Sequence, residues 1–320
     1  MDDFYVTSQQ LTVIETTNSV FNTSLFDAVT PVGTVPYWVR ATAANRLAAT
    51  APEWHANFYR FNSGTYNNQW MTVDYKLFTP GRSLPDDLFW VSEQVRALPA
   101  TLSPHAERSS APTFAPTPCN PTFPTHALAH PISACASGPA QIPGYHHAAD
   151  QTAALQRGHW PSYNVAFYPD VYERSGYPAV VRTFGEGESY QLAPRAKIFR
   201  RDADGTVKDL ASLQTFMRLN RYNLTPNPDP LFPSPVAAIA ARGDLLPIKP
   251  MAFGAFDGKI TSHELLTKRG LATLAISGPT SVDQPAFEWS GRWANMTEYP
   301  HYGQPTRFDF DWEVFGAAGA

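Results

Sequence analysis

The stretch MDDFYVTSQQLTVIETT, Met1 to Thr17, decides how the rest of the chain is read. Two acids follow its first residue, and then Phe4, Tyr5, Val6, Leu11, Val13 and Ile14 alternate in part with Thr and Gln. β-Branched and aromatic residues in such partial alternation favour an extended, half-buried segment. A strand that begins at residue one places the α-amino group at the end of a sheet. There, residue one can attack a substrate while its own amine serves as base, provided it is Cys, Ser or Thr. Here it is Met, whose thioether has no proton to lose.

Working outward, Tyr37 to Ala49 carries Trp38, Ala41, Ala44 and Ala48 at helical spacing, and Glu53 to Phe61 aligns Trp54, Phe58 and Phe61 on one helical face. Trp70 to Leu77 alternates as a strand, with Leu88 to Gln94 as its partner across the Pro80-Gly81 turn. Asn67, Asn68 and Gln69 stand together at the mouth of that strand. Buried amides are costly unless bonded, so they either cap a turn or line a site. Further on, Tyr145 to Gln156 reads as a short helix, His159 to Phe167 as loop and strand, and Val171 to Phe184 as a helix interrupted at Ser175-Gly176-Tyr177-Pro178. Asp209 to Leu219 and Asp257 to Lys268 read as helices, and Leu271 to Ile276, Phe287 to Trp289 and Phe308 to Val314 as strands.

Between Val95 and Gln141 the character changes to Pro and Ala with almost no charge. Such a segment is expected to be a disordered or extended insertion, because 47 residues are too many for an ordered loop inside a domain. The domain expected is therefore 1–94 joined to 142–320. Both cysteines, Cys119 and Cys135, lie in the insertion. Two incidental thiols are favoured over a disulfide or metal pair, since no further Cys supports a framework.

At 320 residues the chain can bury a large core. A net charge of −4 with no basic stripe argues against a nucleic-acid partner. The longest apolar runs, such as Val236 to Ala241, are too short to span a bilayer, and Met1-Asp2-Asp3 is not the start of a signal peptide. The sequons at Asn22, Asn223 and Asn295 are candidate glycosylation sites that lean towards the secretory pathway. The basic residues Arg195, Lys197, Arg200 and Arg201 read as a solvated or acid-paired face rather than an anion site. His146-His147 reads as an exposed pair without carboxylate company, and His301 as structural. No phosphate-cradling Gly loop, metal-spaced cluster or G-x-S-x-G elbow occurs, so no cofactor or metal is expected. Composition and spacing alone stop at a large mixed α/β or α+β domain.

Eight runs go further. In order they are NSGTYNNQWMTVDYK (Asn62 to Lys76), HWPSYN (His159 to Asn164), APRAKIFRRD (Ala193 to Asp202), FMRLN (Phe216 to Asn220), AIAARGDL (Ala238 to Leu245), DGKITS (Asp257 to Ser262), SGPT (Ser277 to Thr280) and HYGQP (His301 to Pro305). Together they resemble the phospholipase B-like family over nearly the whole chain outside Val95 to Gln141. The resemblance implies an α+β fold, a four-layer αββα N-terminal nucleophile hydrolase sandwich with antiparallel sheets, here without its N-terminal part. It implies secreted or lysosomal glycoproteins that cleave their own precursor before a cysteine, which then hydrolyses lipid ester or amide bonds. The family segment at that point resembles CDDFY, so Met1 stands where the nucleophile belongs, and the smaller N-terminal fragment would be a partner of this chain.

A late start in the gene model, or a deliberately expressed large fragment, competes with a nucleophile-less remnant; the retained downstream frame favours the former. Removing Val95 to Gln141 joins Glu93-Gln94 to Ile142-Pro143-Gly144, which resembles the uninterrupted family sequence. A retained intron with GT and AG ends explains the insertion, and a lineage-specific loop is the alternative. For the oxyanion, non-titrating amides are suited, with Asn67, Asn68 and Asn220 as candidates beside Arg242, which alternatively pairs with Asp244; Asp2 would orient the amine. As written, the chain is expected to give no hydrolytic turnover. The rival reading is a catalytically dead glycoprotein that holds a lipid or glycan; a fragment unable to fold alone, exposing apolar surface, is the third.

Overall fold

Residues 4–29, 32–96, 144–226, 228–294 and 296–316 are described by the computed structural model of the chain. The expectations placed on Met1, Asp2, Cys119, Cys135 and Asn295, and on all but the first two residues of the Val95–Gln141 insertion, lie outside the described residues.

The opening stretch is a hairpin rather than one extended segment. Strand β1 (Phe4–Val6) pairs antiparallel with β2 (Leu11–Thr17), Phe4 opposite Ile14. The chain reverses at Thr7–Gln10, where the Gln10 N–H donates to the Thr7 carbonyl at 2.9 Å and Gln10 takes a φ of 57°. Polar Thr-Ser-Gln-Gln supplies no apolar side chain to keep that stretch in the sheet.

Two helices follow, α1 (Tyr37–Leu47) and α2 (Ala51–Phe58). Thr50 caps α2 by accepting from the Glu53 N–H, and the Glu53 carboxylate returns to the Ala49 N–H at 2.9 Å. Strands β3 (Asn68–Asp74), β4 (Phe89–Arg96) and β5 (Gly144–Asp150) then complete a five-stranded antiparallel meander in chain order. Because successive strand residues face opposite sides, Trp70 and Met71 enter different cores. Trp70 joins Leu11 and Val13 against Ala41, Ala44, Trp54 and Phe58 of the two helices. Met71 joins Val91 and Val95 against Tyr163, Tyr168, Val171, Tyr177 and Ala196. Two aromatics depart from expectation: Trp38 and Phe61 are 54% and 45% exposed.

The helix expected over Tyr145 to Gln156 is instead β5 and a short α3 (Thr152–Leu155). All seven β5 residues pair with β4, from Trp90 opposite Asp150 to Arg96 opposite Gly144, and that pairing overrides the local Ala content. His159 to Phe167 forms no strand. The interruption at Ser175-Gly176 is as expected: α4 (Pro169–Arg174) and α5 (Tyr177–Phe184) flank Gly176 at φ +89°, whose absent Cβ would sit 3.0 Å from the Asn22 nitrogen.

Helix α6 (Pro194–Ile198) passes through a π-helical turn (Phe199–Ala203) into α7 (Asp204–Thr206), and α8 (Leu210–Met217) starts from a capping box at Asp209. The segment expected as a helix from Asp257 begins as β6 (Asp257–Ile260), with α9 (His263–Lys268) after it. Strand β7 (Thr273–Ser277) pairs with β6, and the expected terminal strands resolve into β8 (Phe287–Glu288), β9 (Arg307–Phe308) and β10 (Glu313–Phe315). The order β10-β7-β6 makes a second antiparallel sheet, and β8-β9 a two-stranded ribbon. The fold class is α+β with antiparallel sheets.

Candidate active site

A cleft of about 730 Å³ opens where the first strand of the large sheet meets the second sheet. Phe4, Ile14 and Met71, one register row across β1, β2 and β3, line its floor. Trp160, Phe199 and, from α8, Leu213, Phe216 and Met217 supply apolar walls. The rim is ionic, with Arg157, His159 and Asp204 on one side and an Asp257–Lys259 pair at 2.7 Å on the other.

Within the rim, His159 Nδ1 lies 2.7 Å from Asp204 Oδ1, and its ring stacks on Phe199 at 5.9 Å between centroids. With Nδ1 engaged by a carboxylate, Nε2 is the nitrogen left to exchange a proton. Phe199 opens the π-helical turn, a geometry frequent at functional sites.

Behind the cleft wall lies a buried carboxylate. Trp160 Nε1 donates to Gln69 Oε1 at 3.0 Å, and Gln69 Nε2 donates to Glu93 at 2.7 Å. Glu93 is wholly buried and also accepts from Asn18 Nδ2 (3.0 Å) and the N–H groups of Phe167 (2.8 Å) and Tyr168 (2.9 Å). Burial raises its carboxyl above the usual range, while these four donors pull the other way. The opposite sheet face holds His55, whose Nδ1 lies 2.6 Å from Ser92 Oγ, which also accepts from Tyr59. Burial drives His55 down to about 3, so it is neutral.

The four described candidates for oxyanion donors divide into two pairs, and none lines the cleft. Asn67 and Asn68 begin β3. Asn67 Nδ2 donates to Gly64 O at 3.2 Å, whereas both amide atoms of fully buried Asn68 have no hydrogen-bond partner among the described residues. Asn220 and Arg242 meet at the Pro235 carbonyl, which accepts from Asn220 Nδ2 (3.0 Å) and the Arg242 N–H (2.9 Å). Asn220 Nδ2 also donates to Ala240 O at 2.8 Å. Arg242 forms a bidentate pair with Asp244 at 2.7 and 2.6 Å, and donates to the Pro285 and Thr280 carbonyls.

Other sequence candidates find plain partners. His147 does have carboxylate company, contrary to expectation: its Nδ1 lies 3.2 Å from Asp170 and its ring stacks on Tyr168. Burial alone would raise Asp170, but hydrogen bonds from Tyr145 and His147 prevail and hold it below its ordinary value. Lys197 pairs with Glu186, and Arg201 with Asp202 and Asp229. His301 stacks on Trp289. Of the sequons, Asn223 is exposed, while Asn22 Nδ2 donates to Arg174 O at 3.3 Å. Among the described residues no helix is long and apolar enough to cross a membrane, and no group of three or more His, Cys, Asp or Glu is placed to hold a metal ion.

Sequence reasoning passed over Glu93 and the His159–Asp204 pair. A lone acid inside the apolar strand LFWVSEQ was the available signal for the first. No spacing pattern announces a contact between residues 45 apart.

A family model described as Phospholipase B matches residues 1–110 and 139–315. Phospholipase B-like protein F of Dictyostelium discoideum is 38% identical over 321 residues, covering 97% of this chain and 47% of the relative. Phospholipase B-like 1 of Rattus norvegicus and of Homo sapiens are each 35% identical over 312 residues, covering 97% of this chain and 46% of the relative. The chain thus spans about half the length of the curated relatives it matches. With matches on both sides of residues 111–138 and the eight ordered motifs inside them, this chain belongs to the phospholipase B family.

Proposed function

We propose that the chain is the large part of an N-terminal nucleophile hydrolase of lipid ester or amide bonds, in which position 1 carries the nucleophile. One observation carries this reading: the apolar cleft with an ionic rim is floored by Phe4, three residues after position 1. Three residues of extended chain reach roughly 10 Å, so the nucleophile's position is within reach of the cleft. Apolar walls suit an acyl chain, and the polar rim suits the carbonyl end. Two antiparallel sheets, with α1 and α2 covering one face of the larger, support the αββα sandwich. A single domain interrupted by an insertion is supported by adjacent exit and return points, Arg96 opposite Gly144 in the β4–β5 ladder.

In this mechanism the α-amine takes the thiol proton, the thiolate attacks the carbonyl, and fixed amide dipoles hold the oxyanion. Asn68 is the candidate whose amide nitrogen has no hydrogen-bond partner among the described residues. With Met at position 1 the chain gives no turnover by this route. The remaining partner is the smaller N-terminal fragment of the same precursor, and the compartment is lysosomal or secreted, with Asn223 the best-placed glycan acceptor.

The test compares the 320-residue chain with a form carrying Cys and a free amine at position 1, on lysophospholipid and fatty-acyl amide. Turnover by the Cys form alone is expected. Equal turnover by both forms overturns the assignment of the nucleophile. Fatty acid retained by both, detected by mass spectrometry without turnover by either, replaces the enzyme with a lipid-binding protein.

A further inference from the structure

A second cavity, of about 630 Å³, lies in the C-terminal part of the chain and shares no lining residue with the cleft. Its walls include Phe253, Phe256, Phe287, Trp289, Tyr299 and Phe308. Two carboxylates join them, Asp244 and Glu298, and no Lys, Arg or His does. The Asp244 charge is met by Arg242 in the bidentate pair at 2.7 and 2.6 Å. Glu298, by contrast, is exposed and has no ion pair among the described residues. An aromatic concavity with one uncompensated negative charge repels anions and favours cations.

The rings are also held in place before any ligand arrives. His301 stacks on one face of Trp289 at 4.3 Å and 5°, and Trp289 Nε1 donates to Gln304 Oε1 at 3.0 Å. Phe287, buried, stands at 87° to Trp289 with centroids 4.8 Å apart, and Phe308 lies 5.9 Å from Phe287 at 52°. Steeply crossed, fixed rings form a corner rather than the flat slot an acyl chain would fill, and rigidity lowers the entropic cost of binding. Phe253 and Phe256 complete the wall although 58% and 53% exposed, so their faces are open to a ligand. A primary ammonium is strongly hydrated and loses that hydration on entry, whereas a quaternary ammonium sheds little.

We infer that this cavity binds a small quaternary ammonium group, either free choline or the choline headgroup of a lipid. The inference does not rest on the hydrolase reading: a chain that fails every turnover test can still bind the cation, and an active enzyme can lack the site.

The test titrates the 320-residue chain with choline and tetramethylammonium, following Trp fluorescence and heat. Choline's neutral isostere 3,3-dimethylbutanol is the control. Saturable binding of both cations, with the isostere about tenfold weaker, is expected, since the cation–π part disappears with the charge. Glu298→Gln should weaken choline about fivefold and make binding less salt-dependent. Trp289→Ala should weaken it about tenfold, and Phe253→Ala, at a ring already half exposed, gives the same direction in a variant that keeps its fold. Competition by phosphatidylcholine vesicles but not phosphatidylglycerol vesicles identifies the lipid headgroup, and no competition by either identifies free choline. Equal affinity for the isostere, no saturable binding of choline, or unchanged affinity in both aromatic variants overturns the inference.

Discussion

Glu93→Gln is the substitution whose outcome depends most directly on the geometry around the site. Oε1 of Glu93 accepts from Asn18, Gln69 and the Phe167 N–H, and Oε2 accepts from the Tyr168 N–H. A carboxamide offers one oxygen. Placed at Oε1, it keeps three bonds but turns an NH2 towards the Tyr168 N–H, leaving a buried donor unsatisfied at about 1–3 kcal/mol. The three retained bonds lose their charge assistance, about 1 kcal/mol each. Relief of the buried charge returns part of this, so the net loss should be about 2–4 kcal/mol. Urea unfolding followed by Trp emission measures it. Trp160 reports locally, because its indole is tied to Glu93 through Gln69.

The same variant carries a pH signature. Burial places the folded carboxyl above its ordinary value of 4.5, so the folded state holds the extra proton. Stability from this group is therefore full below that value and is lost as pH rises towards the folded one; Glu93→Gln should remove that slope. A loss under about 0.5 kcal/mol at neutral pH would mean that relief of the buried charge offsets both the unpaired Tyr168 N–H and the lost charge assistance, so that the four donors give the carboxylate no net advantage over an amide.

His55 gives the opposite slope. As a base held down to about 3 by burial, it contributes stability that is full above its unfolded value near 6.5 and lost as pH falls. Between pH 7 and pH 5 the loss should be about 2 kcal/mol, read from urea midpoints; a His55→Gln variant with an unchanged slope would contradict it. Deleting 97–138, which keeps the buried Val95 in β4, should leave a folded protein with a Tm within about 5 °C of the parent, because Arg96 pairs with Gly144 and about five residues then close the hairpin. Loss of a cooperative thermal transition would count against the insertion reading. Asn68→Ala should leave the Tm nearly unchanged, whereas Asn220→Ala, which takes this partner from the Ala240 carbonyl and the Tyr222 N–H and leaves the Pro235 carbonyl only the Arg242 N–H, should cost about 2–3 kcal/mol. Equal losses in the two variants would show that Asn68 is structural after all.

How far the fold was legible depended on whether local signal and tertiary pairing agreed. They agreed at Trp70-Met71, where alternation splits two neighbours between two cores, and at Gly176, where a helix cannot continue. They disagreed at Tyr145 to Asp150. Two His and two Ala give no strand signal there, and seven ladder pairs with β4, formed across a 47-residue gap, decide the conformation. Thr7 to Gln10 shows the reverse failing: apolar residues on both sides suggested one strand, and only the φ of 57° at Gln10 reveals the turn. The cleft was illegible for a related reason. Its floor comes from β1, β2 and β3, but its walls come from the segments around Trp160, Phe199 and Phe216, and nothing in those segments states that they converge.

The oxyanion candidates show what a motif can and cannot assign. Asn220 and Arg242 sit in ordered family-like runs, and the chain does bring them together at one carbonyl. Yet both amide hydrogens of Asn220 go to backbone oxygens, and Arg242 Nε, Nη1 and Nη2 are all engaged. A donor already spent must break a buried bond before it can meet a developing charge, so it stabilises the transition state by the difference between two similar bonds. Asn68 has no such debt, since neither of its amide atoms is bonded within the described residues. An unbonded buried amide costs stability, and a fold that carries one at the start of β3 gains something else there. The order of functional interest therefore runs opposite to the order of structural satisfaction, with Asn68 ahead of Asn67 and both ahead of Asn220 and Arg242.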